Sequence, residues 1–356
     1  MVSARGGGNL IVWLAFIIGA LGFWGCAWHG KTSGRPERGK TFTNPVMASG
    51  CDPWVIRHGG YYYYCGSTGR KIYIRRSGRL QDLGKEKSAI IWSAPETGMM
   101  SQNVWAPELH RIQGRWYVYF AADDGHNKNH RIWVLESEDE EPTGGFTLRG
   151  SLDTEGWAID GTPLVMDDGS LYFTWSGWAG PTDGQQNLYI SHMESPLALR
   201  GGRTLIAEPD QPWERNALPL LEGPQILRRK KRLFVIYSAS GSWTQDYCYG
   251  LLSWNGGEIA CRESWEKRGP VFEKGNGTWG VGHGSFTKSP DGREDWMVYH
   301  AKSKPEEGWG DRQVHIQRFT WDAGGYPVFG EPVGPGREIP VPSERRGLFG
   351  FLKFWK

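Results

Sequence analysis

One pattern returns five times along this chain. A short segment carrying an acid, a proline or a glycine leads through a brief apolar run and a turn into an aromatic strand. Asp52-Pro53 leads through Trp54-Val55-Ile56 and Gly59-Gly60 into Tyr61 to Cys65. Ala106-Pro107 leads to Trp116-Tyr117-Val118-Tyr119-Phe120, and Asp160-Gly161-Thr162-Pro163 leads to Leu171-Tyr172-Phe173-Thr174-Trp175. Glu222-Gly223-Pro224 leads to Leu233-Phe234-Val235-Ile236-Tyr237, and His283-Gly284 leads to Trp296-Met297-Val298-Tyr299-His300. Anchored on Pro53, Pro107, Pro163, Pro224 and Gly284, the period is 54 to 61 residues, which with several strands per unit is the signature of a propeller or array. The length of 356 residues would otherwise suggest two domains.

The reading is therefore all-β: a single five-bladed β-propeller with an N-terminal signal or anchor segment. The propeller is expected over residues 42–340, with blades beginning near Phe42, Gln102, Leu152, Glu208 and Gly275. Outside the N-terminus no stretch keeps a helical period over a dozen residues. Fifty-one glycines and 21 prolines, spread among strand-like runs, fit a turn-rich β chain. A formal net charge of +2 excludes bulk electrostatic attraction to nucleic acid.

Residues 1–28 read as a segment apart from the fold. Leu10 to Trp28 carries no charge. Its length suits a membrane span and exceeds the apolar core of a cleaved secretory signal, while a lipoprotein signal would end at Cys26. Export is expected, by release or by attachment to a membrane. Residues 29–41 form a basic linker, and residues 341–356 a basic and aromatic tail that packs under the propeller or touches a membrane surface. Cys51 with Cys65, and Cys248 with Cys261, could face each other as disulfides, although sequence does not settle pairing.

A propeller places the first strand of each blade on the central channel, so the heads of those strands converge at one end of the axis. Asp52, Asp160 and Glu222 stand at such heads, with Trp105 and His283 at comparable places. One acid beside a proline is ordinary turn chemistry. Three at matched positions are costly, because like charges brought together raise at least one pKa. Paired carboxylates suit cleavage of a glycosidic bond, one protonated toward the leaving oxygen and one ionised toward water or carbon. Twenty tryptophans exceed what packing alone asks for. Trp54, Trp105, Trp175, Trp178 and Trp243 are candidate sugar platforms, Trp105 foremost for its place beside the axis.

Asp52-Pro53, Val104-Trp105-Ala106-Pro107-Glu108, Ile159-Asp160-Gly161-Thr162-Pro163, Glu222-Gly223-Pro224 and Gly282-His283-Gly284-Ser285 resemble, in order and at blade spacing, the motifs of glycoside hydrolase family 43. The resemblance covers about residues 42 to 335. It implies a five-bladed propeller that inverts anomeric configuration. It makes Asp52 the general base, Glu222 the general acid, and Asp160 the residue that orients Glu222 and keeps its pKa high. It also implies that Arg312 reaches the sugar or the acid from blade five. No cofactor is required; His283 matches an axial histidine that in parts of the family helps hold a calcium ion or its waters. The substrate implied is an arabinose- or xylose-containing oligo- or polysaccharide of plant type. α-L-Arabinofuranosidase action comes first, β-xylosidase second and endo-arabinanase third. The chain is expected to act as a monomer. The non-enzymatic alternative is a carbohydrate-binding propeller that has lost catalysis.

Overall fold

A computed structural model describes residues 40–344. The expected signal or anchor over 1–28, most of the linker over 29–41, and the tail from 345 onward lie outside the described residues. Five four-stranded antiparallel sheets follow one another along the chain, and a two-stranded sheet joins Thr41–Thr43 to Glu338–Pro340. Blade one comprises Trp54–His58, Tyr61–Ser67, Lys71–Ser77 and Ser88–Ser93; blade two Gln102–Ile112, Arg115–Asp123, Arg131–Ser137 and Thr147–Ser151. Blade three comprises Ala158–Val165, Leu171–Trp178, Gln186–Ser195 and Ala198–Ala207; blade four Leu221–Arg229, Arg232–Ala239, Cys248–Trp254 and Trp265–Phe272. Blade five comprises Trp279–Lys288, Asp295–Lys302, Arg312–Trp321 and Pro327–Val328. Among the described residues no helix is long and apolar enough to cross a membrane.

The core lies between the blades. Successive side chains of a strand point to opposite faces of its sheet. Tyr62 and Tyr64 therefore pack with Trp296, Val298 and Val314 of blade five, while Tyr63 and Cys65 pack with Leu109, Trp116 and Val118 of blade two. Further apolar clusters fill the interfaces of blades two and three, three and four, and four and five. Both faces of each second strand are thus covered, which is why those strands read as unbroken apolar runs.

The four described cysteines are free, so the expected disulfides are not formed. Alternation explains it. Cys65 turns into the interface with blade two and Cys248 into the interface of blades three and four, while Cys261 lies on a surface turn with its thiol 3.0 Å from Glu263.

The ring closes through the N-terminal segment. The Val46 N–H donates to the Val314 carbonyl at 2.9 Å, the Val314 N–H to the Met47 carbonyl at 3.0 Å, and the Gly50 N–H to the Arg312 carbonyl at 3.0 Å. Blade five's last strand is only Pro327–Val328, so residues 46–50 take its place beside the upper half of the third strand. The Asn44 side chain adds two bonds with the backbone of Ile316, each 3.0 Å long. Two residues after this latch comes Asp52.

Candidate active site

The head of every first strand carries a residue in left-handed backbone: Asp52 (φ 48°), Ala106 (φ 42°), Asp160 (φ 55°), Gly223 (φ 55°) and His283 (φ 35°). Pro53, Pro107, Gly161, Pro224 and Gly284 follow them. In blades two to five the ladder skips two residues there against one on the neighbouring strand, between Trp105 and Glu108, Ile159 and Thr162, Glu222 and Gln225, and Gly282 and Ser285. These are β-bulges, which bend a strand and re-aim its side chains. The structure corrects the anchor in blade three: the residue equivalent to Pro53 is Gly161, not Pro163. Asp52, Asp160 and His283 are thus structurally equivalent, and Glu222 precedes the equivalent Gly223 by one. Gly161 has no room for a side chain, since a Cβ there would lie 2.3 Å from Phe173.

The bulges bring Asp52, Asp160, Glu222, His283 and Arg312 together. His283 Nδ1 lies 3.3 Å from Asp52 Oδ1 and 3.8 Å from Asp160 Oδ2. Arg312 Nη1 donates to Asp52 Oδ1 at 3.3 Å. The Gly223 N–H donates to Asp160 Oδ2 at 3.0 Å. The Asp52 N–H donates to His300 Nδ1 at 3.2 Å, which leaves that nitrogen bare and the proton on Nε2. His300 is fully buried, and burial pulls its pKa down to about 4, in keeping with a neutral ring. The Tyr247 hydroxyl donates to Glu222 Oε1 at 2.8 Å, and the Tyr247 and His300 rings stack at 5.4 Å, inclined by 5°.

These neighbours drive the carboxyls apart. Burial alone would push Asp52 up, but the neighbouring His283 and Arg312 hold it well below the usual carboxylate range. Glu222 has no such cation in contact. Burial first, then the charge of Asp52, lift it to about 7 against the pull of Tyr247. Asp160 is likewise raised, by burial and by the charges of Glu222 and Asp52, with His283 opposing. A mouth with one ionised and one protonated carboxyl can present base and acid to one bond.

The expected platforms separate by burial. Trp105 is 39% exposed and stacks on the buried His130 at 4.1 Å. His130 is fixed by Asp123, 3.0 Å away and equally buried. Trp175 is fully buried between blades two and three, and its place there rules out a sugar platform. Trp54 is half-buried between blades one and two. Its Nε1–H donates to the Leu109 carbonyl at 2.6 Å and its ring packs on His110 at 4.4 Å, so it too serves the interface. Trp178 is buried in a stack with Trp157 at 4.9 Å. Sequence reasoning did not single out Tyr247, His300 or Ser242, the last a minor contributor to the Glu222 pKa. His300 closes one of the five aromatic strands, but Tyr247 and Ser242 carry no local signal. Glu108, inside a quoted motif, is a fourth axial carboxylate. It accepts from the Gln225 side chain and lies 2.9 Å from His110 Nε2, tying blade two to blade four.

Residues 42–327 match the model of glycosyl hydrolases family 43. The extracellular exo-α-(1→5)-L-arabinofuranosidase of Streptomyces avermitilis is 35% identical over 313 residues, 83% of this chain and 64% of that protein. Alpha-L-arabinofuranosidase 43 of Humicola insolens is 33% identical over 322 residues, 86% of this chain and 66% of that protein. The chain thus spans just under two thirds of the length of these two relatives. The crystal structure of α-L-arabinofuranosidase from Lactobacillus brevis superposes with a TM-score of 0.79 at 32% identity, covering 83% of this chain and 98% of that one. With the family pattern matched from the first blade into the last, this chain belongs to glycosyl hydrolases family 43.

Proposed function

We propose that the chain is an inverting glycoside hydrolase that releases α-L-arabinofuranosyl residues from arabinan or arabinose-substituted polysaccharide. The observation that carries this reading is the meeting of Asp52, Asp160 and Glu222 at one end of the ring, with Arg312 and His283 against Asp52 and the Tyr247 hydroxyl on Glu222. Asp52 takes a proton from water as the water oxygen attacks the anomeric carbon. The bond from that carbon to the leaving oxygen breaks, and Glu222 gives its proton to that oxygen. The product has the opposite anomeric configuration, and solvent then restores both carboxyls. Asp160, held by the Gly223 N–H, sits against Glu222, and two carboxyls so close do not both ionise, which keeps a proton on the pair. Arg312 and His283 hold Asp52 ionised, and Trp105 offers a flat face to the sugar. The arabinofuranosyl preference rests on the names of the relatives above.

Calcium does not fit the axis as a protein-built site. Asp160, Glu222 and His283 bring donor atoms within 4.8 Å of one another, but they supply one nitrogen and two carboxylates where calcium takes six to eight oxygens. An ion there would also hold Glu222 ionised, against its role as acid. Asp52, Asp160, Glu222, His283 and Arg312 all come from one ring, which supports action as a monomer. The uncharged run Leu10–Trp28 and the extracellular relatives support export, with residues 1–28 as signal or anchor.

The test is a product profile from arabinan and arabinoxylan, with the anomer of the first product followed by NMR. Release of arabinose with inversion supports the reading. Release of xylose, or of internal oligosaccharides, would move the chain to the xylosidase or endo-arabinanase reading. A folded protein that cleaves neither nitrophenyl arabinofuranoside nor nitrophenyl xylopyranoside would be a binding propeller. Glu222→Gln is expected to lower turnover of arabinan by 10²–10⁴-fold, of the order general acid catalysis supplies. The loss should be far smaller for an aryl leaving group that needs no proton; equal losses would remove Glu222 from the acid role.

A further inference from the structure

Two tryptophans among the described residues are exposed: Trp105, at 39%, and Trp309, at 58%. Trp105 stands at the head of the first strand of blade two. Trp309 lies in the loop Ser303–Asp311 between the second and third strands of blade five, a stretch that none of the matched motifs includes. Packing does not explain an indole so open to solvent, and the loop around it is firmly held. The ammonium of Lys302, wholly buried, bonds the Gly308 carbonyl and lies 2.8 Å from Asp311 Oδ1. The Gly308 N–H donates to the Trp243 carbonyl at 2.8 Å. Arg312 Nε donates to the Trp309 carbonyl at 3.3 Å, from the same guanidinium that holds Asp52.

The neighbours of Trp309 say which sugar it meets. Its Nε1–H donates to Ser242 Oγ at 3.2 Å, and Ser242 is close enough to Glu222 to be among the groups that draw its pKa down. Its ring meets Trp243 at 5.4 Å and 62°. The indole N–H is thus spent, and what remains presented is apolar ring face. In the proposed mechanism Glu222 faces the leaving oxygen. An aromatic surface beyond the acid and open to solvent lies on the leaving-group side. The hydrophobic C–H face of a pentosyl ring is the surface such an indole buries.

We propose that Trp309, braced by Trp243, is the platform for the sugar unit on the leaving-group side of the scissile bond, so that the enzyme selects oligomeric over monomeric leaving groups. The proposal rests on the hydrolase reading and deepens it. A rigid platform loses little entropy on binding, so its truncation shows as lost affinity for that sugar.

The test compares Trp309→Ala and Trp309→Phe with wild type, using (1→5)-linked arabinotriose as substrate and free L-arabinose, which fills the glycone pocket alone, as inhibitor. Trp309→Ala is expected to lower kcat/KM for arabinotriose about tenfold, about 1.4 kcal/mol, with the inhibition constant of arabinose within about twofold of wild type on the same scale. Trp309→Phe restores most of the loss. An unchanged kcat/KM, or an equal loss for arabinotriose and arabinose, would overturn the platform while leaving the hydrolase reading intact. If wild type turns over xylotriose instead, xylotriose and xylose take the same places. A wild type that cleaves neither oligosaccharide overturns the hydrolase reading and this proposal with it.

Discussion

At the scale of the residue, the site is an arrangement of unequal neighbours. Asp52 and Glu222 are both buried acids, yet Asp52 faces the cations Arg312 and His283 while Glu222 faces the neutral hydroxyl of Tyr247. In the proposed mechanism Glu222 must keep its proton to act as acid, so kcat/KM is expected to fall as pH rises through about 7. The Tyr247 hydrogen bond favours the ionised form. Tyr247→Phe should therefore move the alkaline limb to higher pH, a displacement in the pH profile that a merely structural loss would not produce. The same raised pKa makes folded-state stability fall as pH rises from about 4.5 toward 7, because the folded protein binds the proton that the unfolded chain has released. Glu222→Gln has no proton to lose there, so its Tm relative to wild type should grow across that window, as thermal melts at pH 5 and pH 8 would show.

At the scale of the element, the bulges at the strand heads of blades two to five do the aiming, and in every blade a proline or a glycine follows the left-handed residue. Gly284 has no space for a methyl: a Cβ would lie 1.9 Å from the Val298 carbonyl oxygen. Gly284→Ala is expected to destabilise by about 2–3 kcal/mol, in the range of overpacking in a tight core, measured by urea unfolding. Gly223→Ala places its Cβ 2.9 Å from the His283 ring and adds the cost of a left-handed alanine. It should depress turnover more than Tm. Elements also set what could be read from sequence. The second strands, covered on both faces, announce themselves in Tyr61 to Cys65 or Trp116 to Phe120. The outer strands do not: Thr147–Ser151 alternates between exposed and half-buried with a glycine and an arginine inside it. The heads Asp52, Asp160 and Glu222 were legible because each stands beside a proline or glycine, though Pro163 masked the true equivalence of Gly161. Trp54 and Trp175 could not be told from sugar platforms by residue type, since interface filler and platform call for the same ring; only Trp105 stood apart, by its place beside the axis. Tyr247 reaches Glu222 only through the fold.

At the scale of the whole molecule, catalysis and closure share a segment. Residues 46–50 zip onto Arg312–Val314, and the chain then turns directly into Asp52, which Arg312 also holds. Loosening the latch should displace the base while the other four interfaces stay packed. In a urea titration, turnover is therefore expected to vanish at a lower concentration than the change in tryptophan fluorescence. Asn44→Ala strips two bonds from the buried Ile316 backbone, at a cost of about 1–3 kcal/mol. It should widen the gap between the two curves. Coincident curves in both proteins would show that the latch opens only with the whole ring.

Val314 and Arg312 also come late in the chain, whereas the base they secure comes early. A ribosome exposes Asp52 long before it has made the arginine that charges it and the strand that seats it. Under the proposed mechanism the growing polypeptide is consequently inert toward sugar until its fifth blade has been added.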